Sequence, residues 1–339
     1  MAHQLSDFLA RLVRRENLNR EEAFELLEAL LDAEATDAQI SGALVALAAK
    51  GETVEELTGM AEGLRSRAVR VICKHDCFID TAGTGSSRAK TFNISTAAAF
   101  VIAGAGLPEA KHGNRAASSK SGSADLLTAL GVNVSAIPLV SENALNEIGI
   151  CFMFAPLFHG ATARVAGIRR QLGIHTTFNL LGPLSNPAGA PRQIIGVWRE
   201  DLADKLAHVL AALGTERAWV VHGEDGLDEI TLAGKTHVAE AFDSEVRSFE
   251  IAPEDFGFEV RKLDHLRGGD TDANAAIVDA VLDGSRTDEA RALVVMNAAA
   301  ALFLGGAAAD LREGAKLAAD AIDSGAARRK LELLIEATI

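Results

Sequence analysis

Apolar side chains recur at helical spacing through the first 70 residues of the chain. Asn19, Thr36 and Thr53 each precede such a stretch, and each is followed three residues later by Glu or Gln, the pattern of a capping box. A further helix is expected over about 4–14. Four short helices bury little surface, so we expect them to pack against the rest of the chain or against a second copy.

The hydrophobic pattern then changes to short apolar runs that alternate with helical segments. Strands are predicted at 77–82, at a run ending at 111–112, and at 151–154, 193–198 and 218–222. From residue 272 the chain is Ala-rich and helical. Strand–helix alternation is typical of a mostly parallel sheet with helices on both faces. The sequence therefore predicts an α/β protein in which a small N-terminal helical domain accompanies a larger α/β domain.

Composition and charge limit the class of protein. With 48% hydrophobic and 24% charged residues, the chain is typical of globular proteins, neither collagenous nor of low complexity. Its net charge of −14 argues against nucleic acid and anionic membranes as partners, so any phosphate must bind in a local pocket. Cys73, Cys77 and Cys151 are too few for a disulfide framework. No signal peptide or membrane-spanning run is visible, so we expect a soluble cytoplasmic protein.

Two loops rich in small polar residues follow predicted strands and could hold an anion. The first covers 80–87 and continues to 91–96, and the second covers 111–125. Glycines let backbone N–H groups approach an anion closely, and the following helix N-terminus adds further donors. An ordinary glycine turn and a solvated basic loop are the alternatives. Since both loops fall at the carboxyl edge of the sheet, where open α/β folds bind ligands, we favour a binding site.

An acidic segment follows the strand at 218–222. It contains Glu224, Asp225, Asp228 and Glu229, which repel one another unless a cation lies between them. Oxygen ligands beside phosphate-binding loops suit Mg²⁺. A solvated turn accounts for Glu224 and Asp225, whereas Asp228 and Glu229, next to an apolar residue, are candidate metal ligands.

These motifs resemble those of the anthranilate phosphoribosyltransferase family over nearly the whole chain. The matching segments are 83–85, 93–96, 111–115, 118–119, 123–125, 169–173, 178–184, 228–229 and 297–302. The resemblance implies transfer of the phosphoribosyl group of phosphoribosyl pyrophosphate to the amine of anthranilate, in tryptophan biosynthesis. It also implies a homodimer formed through the helical domain. The implied domains are 1–73 with the helices of 161–182 packed onto it, and 74–160 with 183–339.

The resemblance also implies roles for individual residues. Phosphoribosyl pyrophosphate is expected to contact Gly83, Thr84, Gly85, Ser86, Ser87, Thr91, Asn93, Ile94, Ser95, Thr96, Lys111, His112, Gly113, Asn114, Arg115, Ser118, Ser119 and Ser123. Gly83, Asn114 and Arg169 are expected to bind anthranilate, and Ser95, Asp228 and Glu229 to hold Mg²⁺. No side chain is expected to act as a nucleophile, because the reaction needs positioning and stabilisation of the leaving pyrophosphate.

The sequence departs from the family pattern at a few positions. Ser86 and Ser87 stand where the family usually has Gly and Asp, and His175 stands where it usually has Arg. Two alternatives follow: a transferase or nucleoside phosphorylase of the same fold with another aromatic acceptor, and a binding paralogue that has lost the reaction. Retention of Asn114, Arg169 and the acidic pair argues against the second.

Overall fold

Four helices form the N-terminal part of the chain in the computed structural model, which describes residues 2–85, 89, 91–116, 121–263, 266 and 268–339. They are α1 (Ala2–Val13), α2 (Arg20–Leu31), α3 (Asp37–Lys50) and α4 (Val54–Ser66). The caps at Asn19, Thr36 and Thr53 are all present, and each is a complete capping box. Each box satisfies two backbone N–H groups at the helix end, and this local chemistry is why the helix starts were predictable.

A seven-stranded sheet forms within the described part of the chain. Its strands are β1 (Ile79–Gly83), β2 (Glu109–Gly113), β3 (Ile150–Phe154), β4 (Arg192–Gly196), β5 (Arg217–Gly223), β6 (Thr236–Phe242) and β7 (Glu245–Ile251). Their order is β3-β2-β1-β4-β5-β6-β7, and β1 to β5 run parallel to one another. The mostly parallel sheet is thus confirmed.

Strands β6 and β7 add an antiparallel hairpin that the sequence analysis missed. Both residues of its turn, Asp243 and Ser244, have positive φ, at 52° and 64°. Such turns favour Asn-Gly, Asp-Gly or Gly-Gly, and Asp-Ser lacks the glycine of these pairs, so the hairpin signal was weak.

The remaining helices lie on both faces of the sheet or at its edges. They are α5 (Ile94–Gly104), α6 (Ser123–Ala129), α7 (Pro138–Ile148), α8 (Ala155–Phe158), α9 (Ala163–Leu172), α10 (Thr177–Leu184), α11 (Asp201–Ala212), α12 (Thr271–Leu282), α13 (Glu289–Leu304), α14 (Leu311–Asp323) and α15 (Ala326–Thr338). Short 3₁₀ turns cover Gly160–Thr162 and Pro253–Phe256. None of the helices within the described ranges is long and apolar enough to cross a membrane.

Two apolar clusters cover the two faces of the sheet. Ile194 of β4 belongs to the cluster that includes α5 and the C-terminal helices, while the next residue, Ile195, belongs to the cluster that includes α2, α4 and α11. Successive strand residues point to opposite faces, so one strand supplies both clusters. Ile168 of α9 and Leu181 of α10 lie in the second cluster with the N-terminal helices. The four-helix part is therefore packed onto one face of the sheet.

Candidate functional site

The carboxyl ends of β1, β2 and β5 open onto one cavity of about 1350 Å³. Residues that follow these strands line it, and so do residues from α9 and α10. This is the edge at which open α/β sheets bind ligands. The cavity is therefore built from both the sheet and the helices that pack on it.

The cavity brings together most of the residues selected from the sequence. Those that line it are Gly83, Thr84, Gly85, Thr91, Asn93, Ser95, Thr96, Lys111, His112, Gly113, Asn114, Arg115, Ser123, Arg169, Asp228 and Glu229. Ile94 does not line it, because its side chain is buried in the core and its N–H donates to the Phe92 carbonyl at 2.9 Å. Ser86, Ser87, Ser118 and Ser119 lie outside the described residues.

The first loop is tied to β4, and a glycine on β4 lets the acidic segment approach. The Thr84 N–H and Oγ1 both donate to the Gly196 carbonyl, at 2.9 and 3.0 Å. A Cβ on Gly196 would lie 1.6 Å from the Asp228 carbonyl oxygen. Any side chain at this position would push the acidic segment away from the first loop. Glycine at 196 is thus required for the two segments to meet.

Asp228 and Glu229 are placed beside the first loop. The Ser95 N–H donates to Glu229 Oε1 at 3.2 Å, and a Cβ on Gly83 would lie 3.5 Å from Asp228 Oδ2. Burial raises the pKa of Glu229 to about 8, and the neighbouring carboxylate of Asp228 adds to the shift. Two crowded carboxyl groups of this kind favour a cation between them.

The other two carboxylates of the acidic segment, Asp225 and Glu224, accept hydrogen bonds from residues close to them in the chain. Asp225 accepts hydrogen bonds from the Leu227 N–H at 3.2 Å and from Thr231 Oγ1 at 2.9 Å. Glu224 accepts from the Lys235 N–H at 3.1 Å. Within the described ranges, no group of three or more His, Cys, Asp or Glu side chains could hold a metal. An ion at the acidic pair would need further oxygen ligands from a substrate or from water.

Lys111 places a cation in the middle of β2, and buried carboxyl groups lie close to it. Its Nζ donates to the Thr81 carbonyl and lies 3.5 Å from Thr81 Oγ1. Glu109 Oε1 accepts from the Thr81 N–H at 3.0 Å and from its Oγ1 at 2.7 Å. Burial raises the pKa of Asp80 to about 6 and that of Glu109 to about 8, while the charge of Lys111 opposes both shifts. Asp80 begins the first predicted loop, but neither Asp80 nor Glu109 was assigned a role from the sequence, although acidic residues within strands were the available signal.

An uncharged histidine pair lies beside Lys111. The rings of His112 and His159 have centroids 5.1 Å apart. Burial lowers the pKa of His112 to about 3 and that of His159 to about 4. Both rings are therefore neutral at pH 7, and His112 contributes a neutral surface to the cavity.

Arg169 reaches the cavity from the last turn of α9. Its Nη2 donates to Asn179 Oδ1 at 3.0 Å, and its guanidinium carbon lies 5.7 Å from the centre of the Phe178 ring. Burial lowers its pKa, and an anion placed beside it would stabilise the charged form. His175 also lines the cavity and stacks on Trp198 with ring centroids 4.6 Å apart.

One wall of the cavity comes from a segment that the sequence analysis did not select. Lys262, Leu263, Leu266, Gly268, Gly269 and Asn274 all line it. These residues precede or begin α12, far along the chain from both loops. A Gly-Gly pair before a helix cap was the available signal, and by itself it does not identify a binding site.

Comparisons with known proteins agree with this arrangement. Residues 75–328 match the family described as "Glycosyl transferase family, a/b domain", and residues 6–68 match "Glycosyl transferase family, helical bundle domain". An anthranilate phosphoribosyltransferase of Anaeromyxobacter dehalogenans is 53% identical over 330 residues, which is 97% of each chain.

Two solved structures are similar over nearly their whole length. The anthranilate phosphoribosyltransferase of Thermus thermophilus has a TM-score of 0.91 at 38% identity, covering 98% of this chain and 99% of that one. The enzyme of Saccharomyces cerevisiae in complex with PRPP and Mg has a TM-score of 0.90 at 28% identity, covering 100% of this chain and 98% of that one.

Proposed function

The chain belongs to the anthranilate phosphoribosyltransferase family, and on that premise we propose that it transfers the phosphoribosyl group of phosphoribosyl pyrophosphate to the amine of anthranilate. The products are N-(5-phosphoribosyl)anthranilate and pyrophosphate, and the reaction belongs to tryptophan biosynthesis. The observation that carries this proposal is one cavity lined by the two loops, an acidic pair and the half-buried Arg169.

The donor fits the two loops and the lysine between them. Phosphoribosyl pyrophosphate is a polyanion, and the loops at 83–85 and 113–115 lie at strand ends and line the cavity beside helix N-termini. Lys111 adds a fixed positive charge. We assign donor binding to the loop residues that line the cavity, and we extend the assignment to Ser86, Ser87, Ser118 and Ser119 by the family motif.

The acidic pair suits Mg²⁺ bound together with the donor. Asp228 and Glu229 are hard oxygen ligands, and the raised pKa of Glu229 reports crowding that a cation would relieve. Mg²⁺ commonly takes one or two protein carboxylates and completes its shell with substrate phosphates and water. We propose these two residues with Ser95 as its protein ligands. When bound, the ion would neutralise charge on the leaving pyrophosphate.

The acceptor fits the side of the cavity that the helices supply. Anthranilate carries a carboxylate, and Arg169 offers a guanidinium that Asn179 and Phe178 hold in place. Asn114, at the end of β2, and Gly83 complete the proposed acceptor contacts. The ribose C1′ gains oxocarbenium character as pyrophosphate departs, and the amine attacks it. Positioning and stabilisation of leaving-group charge carry the reaction, and no protein nucleophile is used.

We further propose a cytoplasmic homodimer formed through the helical domain. Val13 on α1 and Val45 on the neighbouring α3 are large apolar side chains exposed to solvent, and a second copy would cover them. Three free thiols suit a reducing compartment. We place the domain division at 1–73 with 161–182, against 74–160 with 183–339.

An acceptor panel tests the proposed reaction. Purified protein is incubated with phosphoribosyl pyrophosphate, Mg²⁺ and either anthranilate, nicotinate or thymine, and released pyrophosphate is measured. We expect release above the no-acceptor background with anthranilate alone. Faster release with another acceptor would replace the proposed acceptor, and release with none would favour a binding protein.

A further inference from the structure

Asn274 lies on the first turn of α12, lines the cavity, and is almost fully buried at 3% exposure. Its Oδ1 accepts the Gly269 N–H at 2.9 Å, and its Nδ2 donates to Asn93 Oδ1 at 3.3 Å. Both ends of the amide are therefore engaged, one by its own segment and the other by the first loop. A buried amide with two specific partners fixes the groups that it joins.

Asn93 continues the connection to the second loop. Although Asn93 occupies the N-cap position of α5, its side chain makes no capping hydrogen bond. Its Nδ2 donates instead to the Ser121 carbonyl at 3.3 Å. Two side-chain amides thus join three segments of the cavity wall, which lie before α12, before α5 and before α6.

Close packing occurs at the same junction. A Cβ on Gly268 would lie 2.2 Å from the Thr91 carbonyl oxygen. The segment before α12 therefore rests directly on the backbone of the first loop. Gly268 allows the two backbones to pack closely, and Asn274 adds a hydrogen bond to Asn93 at the same junction.

The hydrogen bonds also fix which way the Asn93 amide faces. Its oxygen is held by the Asn274 N–H, and one of its two nitrogen hydrogens is held by the Ser121 carbonyl. If the Asn93 amide were flipped, its nitrogen would face the Asn274 nitrogen and its oxygen would face the Ser121 carbonyl oxygen, and both hydrogen bonds would be lost. Because Asn93 lines the cavity, we expect the second hydrogen of its Nδ2 to be the donor that it offers to a ligand there. An anionic ligand prefers this donor to the amide oxygen.

We propose that Asn274 is a positioning residue for the phosphoribosyl donor: it holds Asn93 in one amide orientation and keeps the wall before α12 against the first loop. This inference rests on the proposed function, because it takes the donor to be phosphoribosyl pyrophosphate. Loss of Asn274 should therefore weaken donor binding and leave acceptor binding unchanged. The proposed acceptor residue, Arg169, is held in place by Asn179 and Phe178 and does not depend on Asn274.

Three variants test the proposal. Asn274→Asp has the same shape and still accepts the Gly269 N–H, but it places a second oxygen against Asn93. Asn274→Ala removes both bonds. Asp272→Asn is the matched control, because Asp272 is exposed in the same turn of α12. For each variant, the apparent KM values for both substrates, kcat and the melting temperature are measured, and binding of phosphoribosyl pyrophosphate is measured by calorimetry.

We expect Asn274→Ala to weaken donor binding by about fivefold to tenfold, the value of one lost hydrogen bond. Asn274→Asp should weaken it further, because a carboxylate at this buried position also repels the polyanionic donor. The KM for anthranilate should stay unchanged, and Asp272→Asn should match the wild type. In addition, Asn93→Ala with Asn274→Ala should bind the donor no more weakly than Asn93→Ala alone, since the two side chains act as a unit.

Two results would overturn the inference. One is a lowered melting temperature with unchanged donor affinity, which would leave Asn274 a purely structural role. The other is a double variant in which the two single effects multiply. If the wild type fails to use anthranilate, the proposed function fails, but donor calorimetry still decides the role of Asn274.

Discussion

Removing the Arg169 guanidinium should weaken anthranilate binding and leave donor binding largely intact. Arg169 lines the cavity, and its orientation is set by the 3.0 Å bond to Asn179 and by the Phe178 ring. Burial lowers its pKa, so water screens this charge poorly, and an acceptor carboxylate would compensate for the lost hydration. Arg169→Ala should therefore act on the acceptor alone.

The expected size follows from a hydrogen bond to a charged group, which contributes about 1.5–3 kcal/mol. At about 1.4 kcal/mol per factor of ten, the apparent KM for anthranilate should rise by about tenfold to about a hundredfold. Arg169→Lys should fall between the wild type and Arg169→Ala, because lysine keeps the charge but loses the planar, two-pronged geometry.

The chain offers a control in the next residue. Arg170 is exposed and does not line the cavity, so Arg170→Ala removes the same charge from the same helix turn. Initial rates are measured against anthranilate at saturating donor, and then against donor at saturating anthranilate. Equal KM values for anthranilate in the two alanine variants would refute the reasoning. So would a parallel rise in the KM for the donor.

Three further changes probe the acidic pair, the first loop and the buried histidines. Asp228→Asn with Glu229→Gln should abolish turnover while the melting temperature stays the same or rises, because two crowded carboxyl groups are neutralised; retained turnover would remove them from the site. Ser87→Asp restores the acid that the family usually carries, and it should shift the Mg²⁺ dependence of the initial rate; superimposable Mg²⁺ titrations would contradict this. Burial lowers the pKa of His159 from an ordinary 6.5 to about 4. As pH falls below 6.5, the unfolded state therefore gains a proton that the folded state does not. The free energy of unfolding then decreases as pH falls, down to about pH 4. His159→Leu should make that decrease shallower in denaturant unfolding, and an unchanged slope would show that His159 does not cause it.

The local parts of the fold were predictable from the sequence. The helix starts at Asn19, Thr36 and Thr53 depend on side chains three residues apart, which a sequence displays directly. Most of the parallel strands were visible as short apolar runs between helices, whereas β2 is largely polar. The β6–β7 hairpin was missed because Ser244 stands where such a turn usually has glycine, even though both φ angles of the Asp243-Ser244 turn are positive.

Site residues were predictable where they belong to one continuous motif. They were not predictable where they depend on contacts between segments that are distant in the chain. Lys111 and Asp228 stand within recognisable motifs, and both line the cavity. Ile94 also stands within a motif, but the helix that begins there turns its side chain into the core. Asn274 was missed because its partner, Asn93, is 181 residues away and only the fold brings the two amides together.

The most direct test of the proposed reaction follows the fluorescence of anthranilate itself. Purified protein is mixed with anthranilate, phosphoribosyl pyrophosphate and Mg²⁺, and the same mixture without donor serves as the blank. We predict that anthranilate fluorescence falls with time only when donor and Mg²⁺ are both present. We also predict that the decrease is lost in the Asp228→Asn/Glu229→Gln variant. Constant fluorescence in the complete mixture, from a folded protein that binds phosphoribosyl pyrophosphate, would contradict the account.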